Sequence, residues 1–162
     1  MKPLYTEQNL EELKKQINRR WAIWLALLAA GVVGLTVLLV MDNHKTNRPE
    51  LAATLVVLFT GIALIAFYDL LIHPLAAYRR HMNNSLHGRS HEAVVIFDHL
   101  NEEVSVVEGV TFRDMIFLGE ADKHGDRERM FYWDQELPLP SFSKGQEVTL
   151  KYYDRFITGY SC

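Results

Sequence analysis

The sequence predicts a membrane α + β protein: a two-helix transmembrane hairpin followed by a small antiparallel β-barrel or sandwich of SH3-like or OB-like type. Three observations predict it. Two apolar runs, residues 21–41 and 51–71, hold 21 residues each. At about 1.5 Å per helical residue each reaches about 31 Å, the thickness of a bilayer's hydrocarbon core. From residue 92 onward the pattern changes to short segments rich in β-branched and aromatic residues, separated by turn signals.

The chain divides at that change. Residues 1–91 carry ten Lys or Arg against six Asp or Glu, and residues 92–162 carry seven against fourteen. Four regions follow: an amphipathic N-terminal helix over 1–20, a transmembrane hairpin with a juxtamembrane extension over 21–82, a linker over 83–91, and an acidic β-domain over 92–162. The last, with about seventy residues, has room for a modest core only. The single cysteine, Cys162, excludes an intrachain disulfide, which fits a reducing compartment.

Orientation follows from the basic residues near the span ends. Lys2, Lys14, Lys15, Arg19 and Arg20 precede the first span, and Arg79, Arg80 and Arg89 follow the second, whereas the connecting loop has Lys45 and Arg48. Both termini are therefore expected on the cytoplasmic side of the plasma (inner) membrane, in a multi-pass arrangement. Trp21, Trp24, Tyr68 and Tyr78 fit an aromatic belt at the inner interface.

In the first region Thr6 is an N-cap candidate, and Leu10, Leu13, Ile17 and Trp21 recur at helical spacing. This stripe reads either as a lead-in lying on headgroups or on the protein's own domain, or as a partner-binding surface. Ala30 and Gly34, four apart on the first span, and Gly61 on the second are small residues of the kind that let helices approach closely, within the hairpin or between copies. Pro74 removes a backbone donor and crowds the preceding turn, so the helix is expected to kink around residues 70–73. Asn83, Asn84, Ser85 and Gly88 carry the signals of a helix end and linker.

Asp69 is the one acidic residue inside either apolar run, about 27 Å along the helix from Leu51, and His73 follows four residues later. The pair reads as an interfacial carboxylate with its partner, or as a candidate proton or ion site. Five histidines fall between positions 73 and 99: His73, His81, His87, His91 and His99. His87 and His91 have the i,i+4 spacing of two metal ligands, but no cysteine or HExxH motif joins them, so no metal and no cofactor is assigned. A solvated, partly cationic linker near anionic headgroups accounts for the same residues.

In the β-domain, strands are expected over 93–97, 104–107, 111–118, 130–133, 147–153 and 156–160. Hairpin turns are expected at Asn101 and Glu102 and at residues 123–126, and the Leu137, Pro138, Leu139, Pro140 run must leave the ladder. Consecutive strand residues face opposite sides, so Phe131, Tyr132 and Trp133 cannot all be core, nor can Tyr152 and Tyr153. Tyr132, Trp133 and Tyr153 are taken as interaction surface. The acidic balance disfavours nucleic acid. No GxSxG, P-loop, CxxC or GxGxxG motif occurs, and Asp98 with His99, or Asp134 with Glu136, read as solvated acids at strand ends and turns, so no enzyme is expected.

The layout, transmembrane helices followed by a small barrel, is similar in outline to the NfeD-like partners of membrane proteases; no motif accompanies the likeness and no residue role comes with it. The functional expectation is an integral membrane accessory or adaptor protein, in contact with the bilayer and with a protein partner or further copies of itself. The alternative is a proton- or metal-responsive sensor or transport component using Asp69, His73 and the juxtamembrane histidines.

Overall fold

The computed structural model describes residues 1–40, 49–120 and 127–162. A two-residue strand, β1 (Lys2–Pro3), precedes helix α1 (Glu7–Val40); α2 (Pro49–Phe67) continues through a π-helical turn (Tyr68–Ile72) into α3 (His73–His87). Five strands follow: β2 (His91–Val107), β3 (Val110–Leu118), β4 (Glu128–Asp134), β5 (Glu147–Tyr153) and β6 (Phe156–Ser161). The chain forms two compact units, one of residues 13–76 and one that combines residues 1–12 with 77–162.

The helical unit holds two helices long and apolar enough to cross a membrane. Their apolar side chains are largely exposed, Val32 at 58% and Phe59 at 66%, as expected of surface that finds no protein partner within the chain. Specific contacts join the helices at their aromatic end. The Trp24 indole donates to the Leu64 carbonyl at 3.0 Å, Arg20 donates to the Leu71 carbonyl at 2.5 Å, and the Trp21 ring lies 5.5 Å from Trp24 and 6.1 Å from Tyr68. The close approach falls at Gly31, where a Cβ would meet Thr60 Cγ2 at 2.5 Å. Gly34 and Gly61 have no neighbour at that range, and Ala30 is exposed. Ahead of Pro74 the helix widens rather than breaks. The His73 N–H bonds the Tyr68 carbonyl, an i to i+5 bond that accommodates the proline ring. Helix α3 then runs to His87, so Asn83, Asn84 and Ser85 are helical.

In the other unit the sheet is mixed rather than antiparallel. Its order is β1-β6-β4-β3-β2-β5, with a further pairing between β5 and β6. The β4–β6 pairing, Tyr132 with Phe156, is parallel, because the chain reverses twice between those strands. What reads as two strands joined by a turn at Asn101 and Glu102 is one strand, β2, with register shifts at 97/99 and 100/104. Residues 91–96 pair with β5, and residues 96–107 pair with β3. The tight turn falls at Glu108 and Gly109, both in the left-handed region (φ 52° and 82°) that a two-residue hairpin demands. The hairpin expected at 123–126 lies outside the described residues. Residues 135–146 are a crossover, as the prolines require, and Phe142 from this segment packs on Phe97 (5.5 Å) and Tyr160 (5.3 Å).

The core is built from the inward residues of the strands: Val95, Met115, Phe117, Phe131, Trp133, Val148, Leu150 and Ile157. Trp133 is 1% exposed, which removes it from the interaction surface. The N-terminal segment belongs to this unit. Lys2 pairs with Tyr160 and Pro3 with Gly159, the Leu4 N–H donates to the Thr158 carbonyl at 2.9 Å, and Leu4 packs against the core.

Candidate functional site

Alternation along β3 and β4 gives the sheet a second face. Met115, Phe117, Phe131 and Trp133 point into the core, so Phe112, Asp114, Tyr132 and Asp134 lie on the opposite side, where Phe112 pairs with Asp134 and Asp114 with Tyr132. Two of these are carboxylates, Asp114 at 5% and Asp134 at 1% exposure. Burying a carboxylate is costly unless donors meet it, and Asp134 has three. The Tyr78 hydroxyl donates to Oδ2 at 2.6 Å, the Tyr5 hydroxyl to the same oxygen at 2.8 Å, and the Glu136 N–H to Oδ1 at 3.0 Å. On Asp114, Ser105 Oγ donates to Oδ2 at 2.9 Å, and Oδ1 has no partner among the described residues.

The phenols come from distant parts of the sequence. Tyr5 directly precedes the Thr6 cap, whose Oγ1 accepts the Asn9 N–H at 3.3 Å; Tyr5 and Leu10 occupy the two positions of a hydrophobic staple and both are buried. Tyr78 lies on α3, one turn before His81, and is part of this cluster rather than of a membrane-interface belt. His81 is buried, not solvated: its ring stands 4.9 Å from both Phe112 and Phe156, and Nε2 lies 3.1 Å from the Tyr5 oxygen. Since the Tyr5 hydrogen is engaged by Asp134, Nε2 carries the proton that bridges to Tyr5, which leaves Nδ1 as an acceptor. The result is a chain from His81 N–H through Tyr5 O–H to the carboxylate, joined there by Tyr78.

Burial holds the His81 pKa below the usual histidine value, against the opposing pull of Asp134 and Glu108. Burial, with the Asp134 charge, pushes both phenols well above the ordinary tyrosine value. At neutral pH the imidazole and the two phenols around Asp134 are therefore neutral.

A cleft of about 460 Å³ opens beside His81, lined also by Asn84, Tyr132, Tyr153, Phe156 and the turn residues Glu108, Asp154 and Arg155. The Tyr132 and Phe156 rings, both in its lining, lie 5.3 Å apart at a tilt of 34°. The only non-glycine residues with positive φ among those described, Glu108 (52°) and Asp154 (55°), both line it.

The other residues singled out from sequence are dispersed. Asp69 and His73 are exposed, with no hydrogen bond or ion pair between them among the described residues; His73 stacks near Tyr68 at 6.3 Å. His87, the last residue of α3, pairs with Glu7 at 3.3 Å, while His91 opens β2 and lies against Tyr152 at 5.8 Å, so the helical i,i+4 geometry is not realised. No three His, Cys, Asp or Glu side chains converge as metal ligands among the described residues. Asp98 accepts from His99 at 2.7 Å and Lys144 at 3.0 Å, and these bonds lower its pKa. Tyr132 and Tyr153 are half-buried. Tyr5 escaped the sequence reading, although its place before the cap was the available signal. Asp134 and His81 were seen only as solvated residues.

No known family model matches the chain, and comparison with curated proteins and with solved structures finds no match.

Proposed function

We propose that this chain is an integral membrane adaptor whose hairpin anchors an acidic β-domain that makes protein contacts, with a partner or with further copies of the chain. The observation that carries the reading is a set of exposed aliphatic side chains along β2. Val94, Ile96, Val104 and Val106 are 61%, 41%, 49% and 68% exposed; Val94 and Ile96 lie on the face opposite buried Val95, and Val104 and Val106, beyond the register shift, lie on the other. A row of β-branched and aliphatic side chains left open to water along one strand is the kind of surface that association covers.

The ladder order supports a closed, five-stranded OB-like barrel for the domain, since β2, β3, β4, β6 and β5 pair in a ring. Closure leaves little free edge, so association runs through these exposed side chains rather than by strand addition. The composition of the unit that joins residues 1–12 to 77–162 supports a two-pass hairpin. Two crossings return the chain to the side it left, whereas one would not. Together with the basic flanks, this favours both termini in the cytoplasm.

The test is crosslinking in native membranes. A Val94→Asp, Val106→Asp variant should lose the crosslinked species of the parent chain while keeping its thermal unfolding midpoint. Crosslinks unchanged in that variant, or recovery of monomer alone from the parent, would contradict the adaptor reading.

A further inference from the structure

We propose that the cleft between the Glu108–Gly109 and Asp154–Arg155 turns binds a small zwitterion, an ammonium group joined by a short spacer to an anionic phosphate or carboxylate. The inference is independent of the adaptor reading. Three charged side chains line the cleft, Glu108 and Asp154 of one sign and Arg155 of the other. None of the three is in an ion pair with another residue among those described, although opposite charges are available across the cavity. A ligand that carries both charges satisfies both sides at once. Arg155 supplies a planar donor fork for the anion, and the two carboxylates meet the cation.

The rest of the wall fits the cationic end. Tyr132 and Phe156 are among its lining residues, and aromatic faces attract an ammonium ion. His81, neutral, brings no competing positive charge to the wall. With the imidazole neutral, the charged lining sums to one negative, so a purely anionic ligand is disfavoured. The volume, about 460 Å³, is within the range of small-molecule sites. Glu108 is the telling residue. It holds a left-handed φ of 52° in a turn where asparagine or glycine is far less strained, and it sits beside His81 at the cleft mouth.

The chemistry is that of an ethanolamine-phosphate group, which occurs as a free solute or as a phospholipid headgroup. The experiment is a calorimetric titration of the full chain in a maltoside detergent with O-phosphoethanolamine. Ethylamine and inorganic phosphate serve as single-charge controls. Saturable binding is expected, with each control at least about tenfold weaker. Glu108→Gln and Arg155→Gln, both exposed turn substitutions, should each weaken binding about tenfold without lowering the unfolding midpoint. Displacement of the bound ligand by vesicles containing phosphatidylethanolamine assigns the lipid source. Displacement by soluble phosphoethanolamine alone assigns the free one, and either supports the proposal. Absence of saturable binding, equal binding of the single-charge controls, or unchanged affinity in both variants overturns it.

Discussion

Tyr5, Tyr78, His81 and Asp134 come from three separate stretches of chain and satisfy one another almost completely, so each is worth more to stability than its type suggests. Tyr78→Phe removes one of three donors from a carboxylate that is 1% exposed. It should cost about 1–3 kcal/mol in denaturant unfolding, and combined with Tyr5→Phe the loss should exceed the sum, because the acid is then left with one donor. A cost within error for both would mean that Asp134 is not held as a carboxylate. The pH dependence follows from His81, faced by Tyr5, Tyr78, Ser85, Asp134 and Glu108. Its folded pKa lies below the ordinary 6.5, so the unfolded chain binds more protons below that pH. Its stabilisation is complete above about pH 6.5 and is lost as pH falls through the folded pKa. The phenols act at the other end: their raised pKa values make stability fall as pH rises above about 10. Unfolding midpoints measured across pH should therefore trace a plateau with two shoulders, and His81→Gln should flatten the acidic one alone.

The β2–β3 hairpin trades stability for position. Glu108 adopts φ 52° where a two-residue turn followed by glycine favours asparagine. Glu108→Asn should raise the unfolding free energy by about 0.5–1 kcal/mol, measured in denaturant, and a loss of stability would show that the Glu108 side chain is itself a structural contact. This element also marks how far the sequence could be read. The alternation of Val148 and Leu150, or of Phe131 and Trp133, is local information, and those strands lie where the periodicity places them. Pro74 likewise announces its disturbance, because the missing donor is a property of one residue; its form, a π-helical turn, is not. The bulged run through Leu100 and Val104 reads as a turn because a register shift interrupts the two-residue period without ending the strand. The parallel β4–β6 pairing has no local signature at all. The exposure of Tyr132 against the burial of Trp133 turns on which face the core occupies, which only the pairing decides.

The molecule as a whole depends on its two ends meeting. Residues 1–12 lie in the same compact unit as 77–162, held by β1 on β6 and by the Tyr5 hydroxyl on Asp134, while the apolar helices fill the sequence between. Joined in this way, the ends cannot lie on opposite faces of a bilayer. The candidate site was hidden for the same reason: Tyr5 and Asp134 are 129 positions apart, and no window of sequence contains both. Cys162, exposed and the only cysteine, makes the central claim directly measurable. Intact cells and permeabilised cells are treated with a membrane-impermeant maleimide, alongside a Lys2→Cys, Cys162→Ser variant that reports on the other end. Both cysteines should be modified only after permeabilisation, on protein that stays with alkali-washed membranes. Modification of either one in intact cells, or release of the chain by alkaline carbonate, would contradict a two-span hairpin with its β-domain inside.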